Sequence, residues 1–154
     1  MKSSVNSGNS TKPSSPHSSI EFEERVRYSE TDRMGVAHNK NYLVWFEIGR
    51  TEFCRNKNIS YKDIESRGYF LVVVEAFCQF RKPLKYDDRF LIKVSLRELT
   101  PKKVIFNYEL LTRDPKTVIA KGYTVHIVTD SHTNVSSLPP DIMEKMNSHP
   151  SPKP

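Results

Sequence analysis

Five stretches of the chain have the hydrophobic pattern of β-strands. Apolar and polar residues alternate over 90–96 and 104–110, while β-branched and aromatic residues recur among charged ones over 21–28 and 117–129. A period of two puts every second side chain on one face, so these stretches predict strands with one buried face. Residues 69–82 include an uninterrupted run of five apolar residues, for which we predict a central strand covered on both faces.

A helical period replaces this pattern after residue 38. Apolar residues return at steps of three and four over 39–58 and predict one long helix. Short helices are predicted over 60–65, where Ser60 is placed to cap the first turn, and over 141–147. Short turns join the later strands, which makes them antiparallel neighbours. The order of one strand, a long helix and four strands in a meander predicts an α+β protein with a curved antiparallel sheet wrapped around the helix. The predicted buried face of the helix carries Tyr42, Trp45, Phe46, Gly49 and Phe53.

The apolar residues that could form a core are concentrated between residues 20 and 147. Both ends are rich in Ser and Pro and have too few apolar side chains to offset the entropy of ordering. We therefore predict a disordered tail over 1–19, one domain over 20–147 and a flexible tail over 148–154. The chain has neither the roughly 18-residue apolar run of a membrane span nor a secretion signal, which favours a cytoplasmic protein without membrane contact.

Composition narrows the range of partners. The net charge of +6 invites nucleic-acid binding, but basic residues alternate with acidic ones and the aromatic residues lie on predicted core faces. We therefore expect no nucleic-acid partner, and the positive charge equally suits an anionic small molecule. The five histidines lack metal-ligand spacing, so we predict no metal site. Cys54 and Cys78 are expected to be reduced thiols.

A carboxylate stands in the loop between the first predicted strand and the long helix. Asp32 lies in a polar stretch over 29–37, just ahead of the helix start. The first N–H groups of a helix have no intrahelical acceptor and carry the positive end of its dipole, which suits an oxygen that gains negative charge. A carboxylate facing such a site is an arrangement for acyl chemistry. Alternatively, Asp32 only forms a turn or caps the helix, although His38 and Asn39 are better placed as caps.

Two blocks of residues resemble the 4-hydroxybenzoyl-CoA thioesterase family of acyl-CoA thioesterases, which have the hot-dog fold. The resemblance covers about residues 22–128, essentially all of the foldable chain. It implies a hot-dog fold and hydrolysis of an acyl-CoA or acyl-carrier-protein thioester to a free carboxylic acid and a thiol. The first block is Tyr28, Thr31-Asp32, Gly35-Val36, Asn41-Tyr42, Trp45-Phe46-Glu47, Arg50 and Glu52, and the second is Val73-Val74-Glu75-Ala76 with Arg81-Lys82-Pro83-Leu84-Lys85-Tyr86-Asp87-Asp88.

The resemblance also implies the catalytic roles. The family's catalytic carboxylate corresponds to Asp32, which acts either as a general base toward water or as a nucleophile. The main-chain N–H that polarises the thioester carbonyl corresponds to Asn39, where the family often has His or Tyr. Because the donor belongs to the main chain, the Asn side chain does not prevent this role.

Further residues near the loop are candidates for supporting roles. Tyr28 and Tyr42 are expected to pack around the loop, with Tyr28 close enough to hydrogen-bond near Asp32. His38 either faces solvent, which we favour, or supplies the side-chain function absent at the next position. Glu75 is interpreted as a supporting strand residue, and the alternative is that it is itself the catalytic acid.

A basic turn is the candidate anchor for the substrate's phosphates. Lys102 and Lys103 follow a proline in a predicted hairpin and match the turn that meets the CoA phosphates in the family, although an ordinary solvated turn has the same sequence. Arg81, Lys82 and Lys85 form a second candidate set. Because CoA or phosphopantetheine is part of the substrate, the resemblance implies no separate cofactor.

One helix covers only one face of the predicted sheet and leaves its edges open, which predicts a homo-oligomer. We expect a homodimer, and a homotetramer of two such dimers, with the pantetheine arm in a tunnel between subunits. Glu47 and Arg50 are interpreted as a structural or interface ion pair. The alternative functions are a non-catalytic acyl-CoA-binding hot-dog protein and a hot-dog dehydratase, for which His38 would be the nearby histidine.

Overall fold

The structure, a computed structural model, describes residues 18–148. In this part of the chain, the predicted α+β class is confirmed: one antiparallel sheet, with strand order β1-β3-β4-β5-β2, packs against one long helix. A 3₁₀ turn, Tyr28–Glu30, precedes the loop that leads into that helix. The strands are β1 Ser19–Arg25, β2 Phe70–Phe80, β3 Arg89–Leu99, β4 Lys103–Leu111 and β5 Val118–Thr129, and the helices are α1 Lys40–Asn56, α2 Tyr61–Ser66 and α3 Pro140–Asn147.

Most of the two predicted tails, residues 1–17 and 149–154, lies outside the described residues. At the inner boundary of the first tail, Ser19 pairs with Ser95 as the first residue of β1. α3 ends at Asn147, at the predicted boundary of the domain. Among residues 18–148, no helix combines the length and the apolar character needed to cross a membrane.

α1 packs on the sheet through the face that the helical period predicted. The ring of Phe46 stacks on Tyr108 of β4, with the ring centroids 4.3 Å apart. Gly49 lets the helix approach β3 closely, because a Cβ at this position would lie 2.6 Å from Cγ2 of Val94. The predicted face is buried at every position, namely Tyr42, Trp45, Phe46, Gly49 and Phe53.

The strand that the sequence placed in the centre of the sheet lies at its edge. β2 pairs with β5 alone, and the meander consists of β3, β4 and β5. Val72, Val73 and Val74 of its apolar run are 41, 44 and 58% exposed. The prediction of a central, doubly covered strand is therefore wrong for the protomer. The hydrophobic pattern reports that the strand is apolar, but it does not report whether this chain or another one covers it.

β1 ends earlier than predicted, and this places the Asp32 loop beside the turn that starts β3. After Arg25 the chain leaves the ladder: the N–H of Val26 donates to the carbonyl of Asp88 at 3.0 Å, and the N–H of Asp87 donates to the carbonyl of Val26 at 3.0 Å. The 3₁₀ turn follows directly. The loop is therefore attached to the sheet at the start of β3, at one end of the molecule.

The short helices pack together beyond the C-terminal end of α1. Ser60 caps α2 as predicted, because its hydroxyl accepts the N–H of Asp63 at 3.0 Å and the Asp63 carboxylate accepts the N–H of Ser60 at 3.3 Å. Arg67 donates to both carboxylate oxygens of Asp141, at 2.7 and 3.1 Å, and so joins α2 to α3. α3 thus lies beside α2.

Candidate active site

The loop between β1 and α1 is a small, closed hairpin. Thr31 and Ala37 form an isolated β-bridge at its base. The N–H of Asp32 donates to the carbonyl of Val36 at 2.9 Å, and the N–H of Gly35 donates to the carbonyl of Asp32 at 3.0 Å. Gly35 has φ of +77°, a left-handed conformation that glycine adopts without strain. The carboxylate of Asp32 therefore stands on a turn with a fixed backbone.

The Asp32 side chain is held by main-chain donors of its own turn. One carboxylate oxygen, Oδ1, accepts the N–H of Met34 at 2.8 Å and the N–H of Val36 at 3.3 Å. Asp32 therefore does form a turn, as the alternative interpretation required. These contacts also fix the orientation of the carboxylate, while the side chain remains exposed on the protomer surface. The second oxygen, Oδ2, accepts no hydrogen bond from residues 18–148, so it is available to a water molecule or a carbonyl carbon.

The start of α1 leaves one main-chain donor without an acceptor. Asn39 already has helical backbone angles, with φ of −52° and ψ of −36°. The next N–H, that of Lys40, donates to Nδ1 of His38 at 3.2 Å. Within residues 18–148, no acceptor lies within hydrogen-bonding distance and angle of the Asn39 N–H. An unpaired N–H at the positive end of a helix dipole is suited to bind an oxyanion. His38 is exposed, as favoured from the sequence, and it caps the helix.

Two buried polar residues hold the loop against the helix. The carbonyl of Glu30 accepts the N–H of His38 at 2.8 Å and the side-chain amide of Asn41 at 2.7 Å. The Glu30 carboxylate accepts the N–H of Arg27 at 2.8 Å and its guanidinium at 3.1 Å. The sequence interpretation missed the role of Glu30. An acidic residue three positions after Arg27, just before the loop, is the signal that could have indicated it.

An apolar groove runs beside α1 from its first turns. It has a volume of about 190 Å³ and lies between the helix and the exposed edge strand β2. The groove begins about one turn after Asn39, so a group bound in it would start near the free N–H. It is lined by Leu43, Val44, Glu47, Arg50, Val73, Ala76 and Thr124.

A buried chain of polar side chains reaches this groove at Thr124. Hydrogen bonds join the hydroxyl of Tyr108 to that of Thr124, at 2.6 Å, and the hydroxyl of Thr124 to Nε2 of His126, at 2.8 Å. Arg50 lies beside the phenol of Tyr108, and the predicted Glu47–Arg50 ion pair does not form within the described residues. Burial, together with the positive charge of Arg50, lowers the pKa of His126 to about 4, so this histidine is neutral at pH 7.

The cysteines are poor candidates for a nucleophile. Cys54 is buried in α1 and Cys78 is half-buried in β2, and the two thiols do not pair with each other. Burial raises the pKa of Cys54 to about 12 and that of Cys78 to about 11. Both therefore remain protonated thiols at neutral pH, and only a thiolate is a strong nucleophile.

The predicted supporting tyrosines occupy different environments. Tyr28 is 79% exposed and packs edge-on against Tyr86, with the ring centroids 5.6 Å apart. Its carbonyl, rather than its phenol, contacts the loop by accepting the hydroxyl of Thr31 at 2.8 Å. Tyr42 is buried against Phe80, with the ring centroids 4.7 Å apart. Burial raises the pKa of Tyr42. Tyr42 is therefore a packing residue of the core.

Glu75 lies on the other face of the sheet. It follows a β-bulge in β2, pairs with Val125, and accepts the phenol O–H of Tyr123 at 2.7 Å. Tyr123 also lines a recess of about 380 Å³ together with Lys93 and Ser95, which alternate with buried residues of β3 and so face away from α1. In the protomer, Glu75 is thus separated from Asp32 by the sheet, and the structure does not bring the two carboxylates together.

The predicted phosphate anchor is also distant from Asp32 in the protomer. Lys102 and Lys103 lie at the turn between β3 and β4, whereas the Asp32 loop is attached near the start of β3. The eleven residues of β3, at about 3.3 Å each, separate the two by roughly 35 Å along the strand. Lys103 forms an ion pair with Glu98, with Nζ and Oε1 3.3 Å apart. One protomer alone therefore does not combine Asp32 with these two lysines.

One antiparallel sheet packed against one long helix, entered through a short loop that carries a carboxylate, is the arrangement of a hot-dog protein. A family model described as Thioesterase-like superfamily matches residues 26–146. The chain belongs to this superfamily, and the predicted family and fold are confirmed.

Individual relatives agree with this assignment. A protein of Aquifex aeolicus, provisionally named an esterase, is 33% identical over 123 residues, which cover 80% of this chain and 94% of the relative. The acyl-CoA thioesterase YbgC of Haemophilus influenzae is 29% identical over 91 residues, which cover 58% of this chain and 67% of the relative. The crystal structure of the DHNA-CoA thioesterase from Staphylococcus aureus superposes with a TM-score of 0.78 at 25% identity, over 82% of this chain and 87% of that one.

Proposed function

We propose that this protein hydrolyses acyl-CoA or acyl-carrier-protein thioesters with Asp32 as its catalytic carboxylate. The observation that carries the proposal is that one short loop holds an oriented carboxylate and leads into a helix start with an unpaired main-chain N–H among residues 18–148. Asp32 is oriented through Oδ1 alone, and the Asn39 N–H points out of a helix start without an acceptor in the described chain. CoA or phosphopantetheine is part of the substrate, so the proposal includes no separate cofactor. It places the enzyme in the cytoplasm.

Thioester hydrolysis requires one group that promotes attack on the carbonyl carbon and another that stabilises the negative charge on the carbonyl oxygen. The carbonyl oxygen of the thioester accepts the Asn39 N–H, and the helix dipole favours the negative charge that develops there. Asp32 either removes a proton from the attacking water or attacks the carbonyl carbon itself, forming an anhydride that water then opens. In both routes the carbon–sulfur bond breaks, and the products are a carboxylic acid and a thiol.

The groove beside α1 is the proposed place of the acyl group. Its walls are apolar near the helix start, where Leu43 and Val44 lie, and it is bounded by Val73 of the open edge strand. The valines of β2 remain substantially exposed in the protomer. We therefore propose that a second copy of the chain pairs along β2, covers the groove and excludes water from it. We further propose that two such dimers form a tetramer.

The same pairing would bring the phosphate anchor to the site. β2 runs from Phe70 to Phe80. Phe70 lies at the end of the sheet that carries the turn with Lys102 and Lys103, whereas Phe80 lies near the Asp32 loop. A two-fold axis between antiparallel copies of β2 places the start of one strand beside the end of the other. In the proposed dimer, the lysines of one subunit thus lie at the same end as Asp32 of the other.

The proposal is tested by following free-thiol release from short, long and aromatic acyl-CoAs, and from the same acyl groups on acyl carrier protein. We expect the wild-type protein to release thiol and Asp32→Asn to lose several powers of ten in kcat, by analogy with other catalytic groups that act as a unit. Asp63→Asn is the matched control, because this carboxylate also accepts a main-chain N–H but lies on α2. It should retain wild-type kcat.

Each alternative function gives a distinct result. If the protein binds acyl-CoA but releases no thiol, it is a non-catalytic acyl-CoA-binding protein. Loss of water from a 3-hydroxyacyl thioester would indicate a dehydratase. If thiol is released and Asp32→Asn hydrolyses at the wild-type rate, the protein is a thioesterase but Asp32 is not its catalytic group.

A further inference from the structure

Asn41 is a buried polar residue that joins the two halves of the proposed site. It stands on the first turn of α1 and is 7% exposed. Its side-chain amide donates to the carbonyl of Glu30 at 2.7 Å, eleven positions back in the chain. Glu30 lies two residues before Asp32, and Asn41 lies two residues after Asn39. The hydrogen bond therefore connects the backbone that carries the carboxylate with the helix turn that carries the free N–H.

The other hydrogen bonds of the loop close it on itself, attach it to the sheet, or come from His38 just before α1. The hairpin turn is closed on itself by hydrogen bonds between Asp32 and Val36 and between Asp32 and Gly35. The N–H of Ala37 donates to the carbonyl of Leu84 at 2.7 Å, which fixes the loop to the sheet side. On the helix side, the carbonyl of Glu30 receives the main-chain N–H of His38 and the amide of Asn41. Without the amide, the loop keeps its own hydrogen bonds, but the Glu30 carbonyl retains only the bond from His38, which precedes α1.

We propose that Asn41 is a positioning residue, which sets the distance between the Asp32 carboxylate and the Asn39 N–H through the Glu30 carbonyl. This inference rests on the proposed thioester hydrolysis. Asn41 does not touch the reacting atoms, so its removal should lower kcat and leave substrate binding nearly unchanged. A misplacement of about 1 Å in a catalytic group can cost about 100-fold in rate.

The experiment compares Asn41→Ala with wild type in the thiol-release assay, using an acyl-CoA that the wild-type protein hydrolyses. We expect kcat to fall by about 10- to 100-fold while KM changes by less than about twofold. In an Asp32→Asn background, Asn41→Ala should lower the residual kcat by less than about twofold, because positioning has no effect once the positioned group is gone. A purely structural role would give the same proportional loss in both backgrounds.

A conservative variant gives a readout that does not depend on the stability of Asn41→Ala. In Asn41→Asp, an ionised carboxylate cannot donate to the Glu30 carbonyl, whereas the protonated acid can. Burial next to a carbonyl raises the pKa of such a carboxyl group. Relative to wild type at each pH, the activity of Asn41→Asp should therefore rise as the pH is lowered. A ratio that does not change with pH would overturn the inference.

Ser60→Ala is the matched control. It also removes a side chain that bonds to a main-chain group at a helix start, the 3.0 Å contact with the Asp63 N–H, but at α2. It should keep wild-type kcat, and urea unfolding of each variant shows whether the measured protein is folded. Wild-type kcat in folded Asn41→Ala, or equal losses in both backgrounds, would overturn the positioning role. If wild type releases no thiol from any donor, the proposed function fails, and this inference fails with it.

Discussion

Acidification is expected to destabilise the fold through one buried histidine. His126 has no exposed surface, its Nε2 is bonded to Thr124, and Arg50 lies close enough to oppose a second positive charge. Burial and Arg50 together lower its pKa from the ordinary value of 6.5 to about 4 in the folded protein. The unfolded chain therefore binds a proton at a higher pH than the folded chain does.

The sign and the size of the effect follow from this difference in pKa. Because the pKa of His126 is lower in the folded chain, the protein has its full unfolding free energy above pH 6.5. This free energy then decreases as the pH falls toward about 4. At about 1.4 kcal/mol for each pH unit, the gap corresponds to roughly 3 kcal/mol of unfolding free energy. This is a large share of the roughly 5–15 kcal/mol that stabilises a typical domain.

The measurement is urea unfolding at several pH values between 7.5 and 4, at one fixed protein concentration. Trp45 is the chain's one tryptophan and is fully buried, so its fluorescence reports the loss of the core. His126→Gln keeps a hydrogen-bonding group of similar length but does not titrate in this range. Its unfolding free energy should decrease less with falling pH than that of wild type, by roughly 3 kcal/mol over the whole interval.

His132→Gln is the control, since this side chain is exposed on the surface. It should leave the pH dependence of the unfolding free energy unchanged. If His126→Gln and wild type lose stability in parallel between pH 6.5 and 4, then His126 is not held neutral by its surroundings. The description of the buried polar chain would then be wrong.

Further predictions concern the packing of the core and the open edge. Gly122→Ala should lower the unfolding free energy by at least about 3 kcal/mol. This decrease should be larger than the one caused by Gly49→Ala. A Cβ at Gly122 would lie 2.0 Å from the main-chain oxygen of Phe77, whereas at Gly49 it meets side-chain methyl groups. Urea unfolding of both variants tests this, and equal stability would contradict it. Val74→Lys, at a position 58% exposed on β2, should shift the protein toward a monomer in sedimentation and lower its kcat. Val135→Lys, at a position 64% exposed in the loop that follows β5, should change neither, and a dimeric, fully active Val74→Lys would refute pairing along β2.

Local patterns predicted several features correctly because the relevant interactions are short in sequence. The buried face of α1 follows from steps of three and four residues, and the Ser60 cap follows from a spacing of three. The Asp32 loop was recognisable because a turn, its glycine and the following helix start are consecutive in the chain. The resemblance to a known family added the proposed role of the Asn39 N–H, which stays a prediction.

The failed expectations concern contacts between residues that are distant in sequence. The apolar run of β2 predicts burial, but the order of strands decides that β2 lies at an edge. Glu75 was interpreted from the sequence as a supporting strand residue, but only the β-bulge in β2 and the pairing with β5 decide which face of the sheet it occupies. Glu47 and Arg50 have the spacing of an ion pair, but Arg50 lies beside Tyr108 of a neighbouring strand.

The sequence by itself determined the elements, the core face of the helix, and the carboxylate loop, because periodicity and turn chemistry act between near neighbours. Only the tertiary structure decided which polar groups meet across elements: the Glu30 carbonyl with the Asn41 amide at the loop, and the hydroxyl of Tyr108 on β4 with that of Thr124 on β5. Such contacts depend on the strand order and on how the helix sits on the sheet. Both are set by packing of the whole chain, which local spacing does not encode.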